Sequence, residues 1–150
     1  RSSVLGILCP SMEGKVTEID MRHIQFPGPD VVKCYEIIAA SIRNNHALKR
    51  LLWIDNQISS DEQADLLIES TIGNRSIKDL RLVHCFNQSG VNGCRALAAL
   101  MNGRPFDCLD FRENGLSGIE NVAAALATNP QLKALRIHTN ELTDRDAELI

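Results

Sequence analysis

One spacing of apolar residues recurs along the chain: apolar, two residues, apolar, one residue, apolar, two residues, then asparagine or a substitute. The clear copies are Leu48, Leu51, Trp53 and Asn56; Ile77, Leu80, Leu82 and Cys85; Phe106, Leu109, Phe111 and Asn114; and Leu132, Leu135, Ile137 and Asn140. A looser first copy has Val16, Ile19 and Met21, with Ile24 in the asparagine position. Self-similarity at a near-constant period indicates a repeat architecture built from one supersecondary unit.

Within each unit the hydrophobic period changes from that of a strand to that of a helix. The alternation of Leu51 and Trp53 predicts a short strand with one buried face. Ala64, Leu67 and Ile68 then follow at helical spacing, which predicts an amphipathic helix. Capping-box pairs that mark helix starts are Ser60 with Gln63, Ser117 with Glu120 and, more weakly, Thr143 with Asp146. Helix-ending pairs follow at Asn44–Asn45, Gly73–Asn74, Asn102–Gly103 and Asn129–Pro130.

These boundaries divide the chain into a flank and about five units. The flank, which is alternatively the end of a preceding repeat, is 1–15, and the units are 16–47, 48–76, 77–105, 106–131 and an incomplete 132–150. The Pro27–Gly28–Pro29 stretch accounts for the longer first unit as a loop insertion. A single strand and helix cannot bury both apolar faces, so the units must stack. We therefore predict an α/β solenoid with one parallel sheet and one continuous core.

The geometry of such a stack predicts curvature and a role for the asparagine position. Parallel strands lie about 4.8 Å apart, which is closer than helices can approach. The strands should therefore lie on a concave face and the helices on a convex face. A buried asparagine amide at the strand-to-turn corner can bond backbone groups of the neighbouring unit, whereas the thiol of Cys85 can do so only weakly.

The pattern L-x-x-L-x-L-x-x-N/C-x-L resembles the leucine-rich repeat family over roughly residues 16–150. Units of roughly 28 residues with a full helix are similar to its ribonuclease-inhibitor-like subfamily. The resemblance implies a horseshoe-shaped solenoid that binds a protein partner, and one member of the subfamily activates a GTPase. Two positions depart from the pattern: Ile24 replaces asparagine in the first unit, and Asn87 replaces the trailing leucine in the third, where we expect an irregular corner.

The residues interleaved with the buried strand positions should point to the concave face. Opposite charges on neighbouring strands, such as Arg81 and Asp110, indicate either a self-neutralising ladder of ion pairs or a binding surface. An apolar cluster of Leu52, Ile54 and Val83 is either a contact site, a set of ordinary surface residues, or a patch covered by the N-terminal segment. The predicted partner-binding residues are Arg50, Leu52, Ile54, Asp55, Arg81, Val83, His84, Asp110, Arg112, Glu113, Arg136 and His138.

Signals of enzymatic chemistry are thin. The four histidines are scattered along the chain, two of them in the first unit, and have no metal-ligand spacing. Asp55, His84 and Cys108 fall on neighbouring predicted strands, but in different columns and without a nucleophile-elbow motif. Glycine-rich nucleotide-binding motifs are absent from the sequence. We therefore predict a non-catalytic protein-interaction module or scaffold without metal or cofactor; the alternatives are a regulator of a GTPase and a structural subunit of a larger assembly.

Charge, hydropathy and cysteine content limit the partners and the cellular location that fit the sequence. A net charge of −3 argues against nucleic acid as a partner. The sequence contains no apolar run near the roughly 20 residues that a membrane-spanning helix needs. Five cysteines, an odd number without a C-x-x-C motif, predict reduced thiols and an intracellular, cytoplasmic location. The last unit lacks a helix end and a polar cap, so we expect further repeats or another chain to cover its open flank.

Overall fold

A computed structural model describes residues 14–22, 24, 31–88, 91–128 and 131–149, in which strands and helices alternate. The elements are β1 (Glu18–Arg22), α1 (Val31–Asn44), β2 (Arg50–Ile54), α2 (Asp61–Gly73), β3 (Asp79–Val83), α3 (Gly93–Gly103), β4 (Cys108–Asp110), α4 (Glu120–Ala127), β5 (Ala134–Arg136) and α5 (Asp144–Leu149). Outside the described residues lie most of the predicted flank, His23, the Pro27–Pro29 loop and the predicted helix end at Asn129–Pro130.

The strands form one parallel sheet in the order β1-β2-β3-β4-β5. Its register aligns the second apolar position of every unit: Ile19, Leu51, Leu80, Leu109 and Leu135. This confirms the predicted α/β fold with a parallel sheet alternating with helices. Because every crossover leads to the adjacent strand, consecutive helices pack side by side and share one hydrophobic core with the strands. Within the described residues, no helix has the length and apolar character required to cross a bilayer.

The core consists of the apolar positions of the repeat together with the inner faces of the helices. Leu51, Leu80 and Leu109 are completely buried, and so is Trp53. The ring of Tyr35 in α1 lies against Trp53 with 5.6 Å between the ring centroids. Each large apolar side chain buried in this way contributes about 1.5–3 kcal/mol relative to exposure. The apolar positions of the repeat are therefore the positions whose side chains form the core.

The asparagine positions tie each unit to the preceding one. Asn114 Oδ1 accepts hydrogen bonds from the backbone N–H groups of Cys85 (2.8 Å) and Phe86 (3.1 Å). Its Nδ2 donates to the carbonyl oxygen of Leu82 at 2.6 Å. Asn140 makes the corresponding bonds to the unit of Asn114. Buried backbone groups at the strand-to-turn corner are thereby satisfied, as the repeat predicts.

The third unit, with Cys85 in the asparagine position, uses a different connection. Gln57 Nε2 donates to the carbonyl oxygen of His84 at 3.0 Å and to Asn87 Oδ1 at 3.2 Å. The backbone N–H of Asn87 donates in return to Gln57 Oε1 at 3.1 Å. Asn87 thus forms part of a side-chain bridge between the second and third units. A leucine there would keep the backbone bond but would lack the side-chain acceptor for Gln57.

Two of the three predicted capping boxes form. The hydroxyl of Ser60 accepts from the N–H of Gln63 at 3.2 Å, and the Gln63 side chain accepts from the N–H of Ser59. Asp146 Oδ2 accepts from the N–H of Thr143 at 2.9 Å, and the Thr143 hydroxyl accepts from the N–H of Asp146 at 3.3 Å. Both helix starts are therefore satisfied locally.

The third predicted box, Ser117 with Glu120, is wrong. Helix α4 begins at Glu120, and Ile119 occupies the N-cap without a side-chain bond. Gly118 has φ +62°, which turns the chain between the predicted cap and the helix. The N–H of Ile119 donates to Asp146 Oδ1 at 3.2 Å, so the residue before α4 is bonded to the next unit.

Candidate interaction surface

The sheet face opposite the helices, here called the strand face, carries a network of ion pairs. Arg50 bridges two strands, with Nε 3.1 Å from Asp79 Oδ2 and Nη1 3.9 Å from Glu18 Oε2. Arg81 Nη2 lies 3.1 Å from the same Asp79 carboxylate, and the hydrogen bond raises the pKa of Arg81. One row of the expected ladder, Glu18 with Arg50 and Asp79, is therefore present across three strands. The expected pair of Arg81 with Asp110 is not, because each of these residues pairs with one two positions away along the chain.

A second pair, Asp110 with Arg112, is more deeply set. Arg112 Nε donates to both carboxylate oxygens of Asp110, at 2.9 and 3.0 Å, and Nη2 lies 2.8 Å from Oδ2. The Asp110 side chain is completely buried, whereas a third of the Arg112 side chain is exposed. The hydrogen bond to Asp110 raises the pKa of Arg112. The expectation that Asp110 is exposed is therefore wrong, and its role as a contact residue stays a prediction.

The expected exposed apolar cluster is also wrong in its main members. Leu52 is 2% exposed and Val83 is 7% exposed, although both lie on the strand face. Ile54 is half-buried. The side chains of Leu52 and Val83 therefore present almost no surface for a partner. Strand alternation predicts which face a residue points to, but it does not predict whether that face is covered.

Four exposed residues at the ends of the strands share one unusual backbone conformation. These residues, here called the corner row, are Asp55, His84, Glu113 and Thr139, with φ of 57°, 51°, 59° and 57°. Each immediately precedes the asparagine position of its unit. Positive φ is uncommon for residues other than glycine, so the surrounding structure must hold it in place. The buried asparagine bonds that follow supply that support at Glu113 and Thr139.

Within the corner row, two neighbouring side chains are in contact. His84 Nδ1 lies 2.9 Å from Asp55 Oδ1, so an imidazole on β3's end pairs with a carboxylate on β2's end. Both side chains remain substantially exposed. Three of the four corner-row residues were predicted contact residues, but their common left-handed geometry was not foreseen. The sequence feature that these four residues share is their position, one residue before the asparagine position of each unit.

The two remaining predicted contact residues lie at the last strand. Arg136 ends β5, and His138 follows two residues later; both are exposed. Arg136 is in register with Asp110 on β4, but that carboxylate is bonded to Arg112. The structure therefore divides the predicted surface into an ion-paired strand region and an exposed edge formed by the corner row with Arg136 and His138.

The structure does not assemble the conceivable triad of Asp55, His84 and Cys108. Cys108 begins β4 and pairs in register with Asp79, which begins β3, whereas His84 follows the end of β3. Burial and the neighbouring Asp79 raise the pKa of the Cys108 thiol, which disfavours a thiolate nucleophile. Among the described residues, no group of three potential ligand side chains is placed to hold a metal ion.

The described cysteines, Cys34, Cys85, Cys94 and Cys108, are free thiols. Cys85 is fully buried, and this burial raises its pKa well above the ordinary value. Cys94 Sγ donates to the carbonyl oxygen of Ser117 at 3.3 Å. Cys85 is therefore packed as a small buried side chain rather than as a reactive centre.

Comparison of the chain with protein-family models, with curated proteins and with solved structures gives no match.

Proposed function

We propose that the chain is a curved leucine-rich-repeat solenoid of the ribonuclease-inhibitor-like kind. The support is the agreement between the apolar spacing and the register of the strands across five units. The asparagine bonds between units and the side-by-side helices add to it. Strands spaced more closely than helices require the stack to curve toward the strand face.

Its function is to bind a protein partner rather than to catalyse a reaction. The observation that carries this proposal is the corner row: exposed polar side chains at a regular interval on a backbone held in a fixed left-handed conformation. The backbone that presents these side chains has little conformational freedom to lose, which lowers the entropic cost of binding. The strand-face arginines Arg50, Arg81 and Arg112 are occupied by carboxylates and serve mainly to shape the surface.

The charges of the corner row define the partner's chemistry. Asp55 and Glu113 flank His84, so this part of the edge is acidic. A matching partner surface carries lysine or arginine opposite these carboxylates. Such pairs at an exposed rim mainly accelerate association and weaken as salt is added. Arg136 and His138 give the last strand the opposite charge character and thereby fix the orientation of the partner.

The test begins with capture of partners from the native source, followed by titration of a purified partner. The test variant combines Asp55→Asn and Glu113→Asn, because asparagine tolerates positive φ and removes two negative charges. The matched control combines Glu62→Gln and Glu69→Gln, which removes the same charge from the exposed surface of α2. We expect the corner variant to lose about tenfold in affinity and the control to lose less than about twofold.

Salt dependence gives a second readout. Wild-type affinity should fall with added sodium chloride more steeply than that of the corner variant, because the variant has lost the charges being screened. If the corner variant keeps full affinity while the α2 control loses it, the partner binds the helices and the proposal is wrong.

A further inference from the structure

A cleft opens at the opposite edge of the sheet, where helices end and strands begin. It lies between the turn after α2 and the turn after α3 and has a volume of about 540 Å³. Its charged lining residues are Arg75, Lys78 and Arg104, and none of the described residues that line it is acidic. The walls beside these cations are formed by Ile72, Gly103 and Pro105.

Arg104 is the fixed element of this cleft. Its Nη2 donates to the carbonyl oxygens of Ile77 at 2.6 Å and Arg75 at 3.3 Å. The guanidinium carbon lies 4.1 Å from the centroid of the Phe106 ring, a cation–π contact. Its Nη1 is buried and has no hydrogen-bond partner. The guanidinium is thus held in place through Nη2 and the Phe106 ring, and its Nη1 has unused donor capacity.

The three cations of the cleft differ from the strand-face arginines in their partners among the described residues. On the strand face, Arg50, Arg81 and Arg112 each have a carboxylate within 3.1 Å. In the described part of the chain, no ion pair involves Arg75, Lys78 or Arg104. Burial and the nearby charge of Arg75 lower the pKa of Arg104, because both raise the free-energy cost of its positive charge, although the guanidinium stays protonated. A bound anion would offset this cost.

We propose that this cleft binds the phosphate group of a small molecule. A phosphate carries about −1.5 to −2 charges near pH 7 and accepts several hydrogen bonds, which suits two exposed cations beside an anchored guanidinium. The volume falls in the range of small-molecule pockets and leaves room for an organic body against Ile72 and Pro105. The cleft lies at the other end of the strands from the corner row, so the two proposals stand or fall separately.

The test measures binding of inorganic phosphate and of O-phosphoserine to the full chain by two-dimensional NMR, at constant ionic strength and against sodium chloride. The test variant combines Arg75→Gln and Lys78→Gln, two exposed side chains whose replacement leaves the Arg104 contacts in place. The matched control combines Lys33→Gln and Lys49→Gln. Lys49 precedes β2 as Lys78 precedes β3, but it does not line the cleft.

We expect saturable shifts at Arg75, Lys78 and Arg104, an about tenfold weakening in the test variant and less than about twofold in the control. Absence of saturable binding to wild type, or equal weakening in both variants, would overturn the proposal. A final titration uses a phosphoserine peptide in place of O-phosphoserine. Affinity equal to that of O-phosphoserine supports a small-molecule ligand, whereas more than about tenfold tighter binding assigns the phosphate to a protein and overturns it.

Discussion

Asn114 shows how one side chain holds two repeats together. Its amide satisfies the N–H groups of Cys85 and Phe86 and the carbonyl of Leu82, all at a buried corner. Asn114→Ala leaves these three groups unpaired and should lower the free energy of unfolding by roughly 3 kcal/mol or more. Cys85→Ala is the matched control at the same position of the repeat and should cost only about 1 kcal/mol, measured by urea denaturation. Equal losses would show that the amide bonds contribute nothing beyond side-chain volume.

For single residues, the sequence predicts the face of the sheet on which a side chain lies but not how exposed that side chain is. The alternation of apolar and polar positions placed Leu52, Val83 and Asp110 on the strand face, where they do lie. All three are buried there, because exposure depends on what surrounds a face and not on the period of one strand. The left-handed corner row was equally hidden, since its residues are not the glycines that usually signal positive φ.

The hydrogen bonds at helix starts can be predicted from the sequence when both partners belong to the same element. The box of Ser60 and Gln63 was predictable because both partners lie within one turn. The bond at the start of α4 was not, because the acceptor for the N–H of Ile119 is Asp146, which lies in the following unit. Local sequence carries no signal for a bond across 27 positions of the chain. The repeat frame, by contrast, was readable because the same local pattern recurs in each unit.

Asp146 provides a pH test of this connection between elements. Hydrogen bonds from the N–H groups of Thr143 and Ile119 lower the pKa of Asp146. The Asp146 carboxylate therefore binds a proton more readily in the unfolded chain, whose pKa is about 3.9, than in the folded chain. Its stabilisation of the fold is present above that pH and is lost as the pH falls through the lower, folded-state pKa. Between about pH 6 and pH 3, unfolding free energy should therefore fall more in wild type than in Asp146→Asn. Parallel pH curves from thermal denaturation would contradict this assignment.

For the whole molecule, the order of the sheet followed from physical necessity. One strand and one helix cannot bury their apolar faces alone, and stacking in chain order is the solution with the shortest connections. This reasoning predicted the parallel sheet, whereas the partner and its contact site depend on surface details that no packing rule specifies. The burial of each unit, by contrast, can be compared directly along the stack.

The last described unit is less buried than the unit before it. Phe106 and Leu109 are buried, whereas the corresponding Leu132 and Leu135 are only half-buried. Leu109→Ala should therefore cost about 2–5 kcal/mol, and Leu135→Ala less than half as much, because fewer contacts are lost. Hydrogen exchange should show the same gradient, with amides of β5 and α5 exchanging faster than those of β3 and α3. Equal costs and uniform protection would mean that this flank is covered, as it would be in a self-associated chain. Hydrogen exchange at several protein concentrations would identify self-association, since protection by association rises with protein concentration.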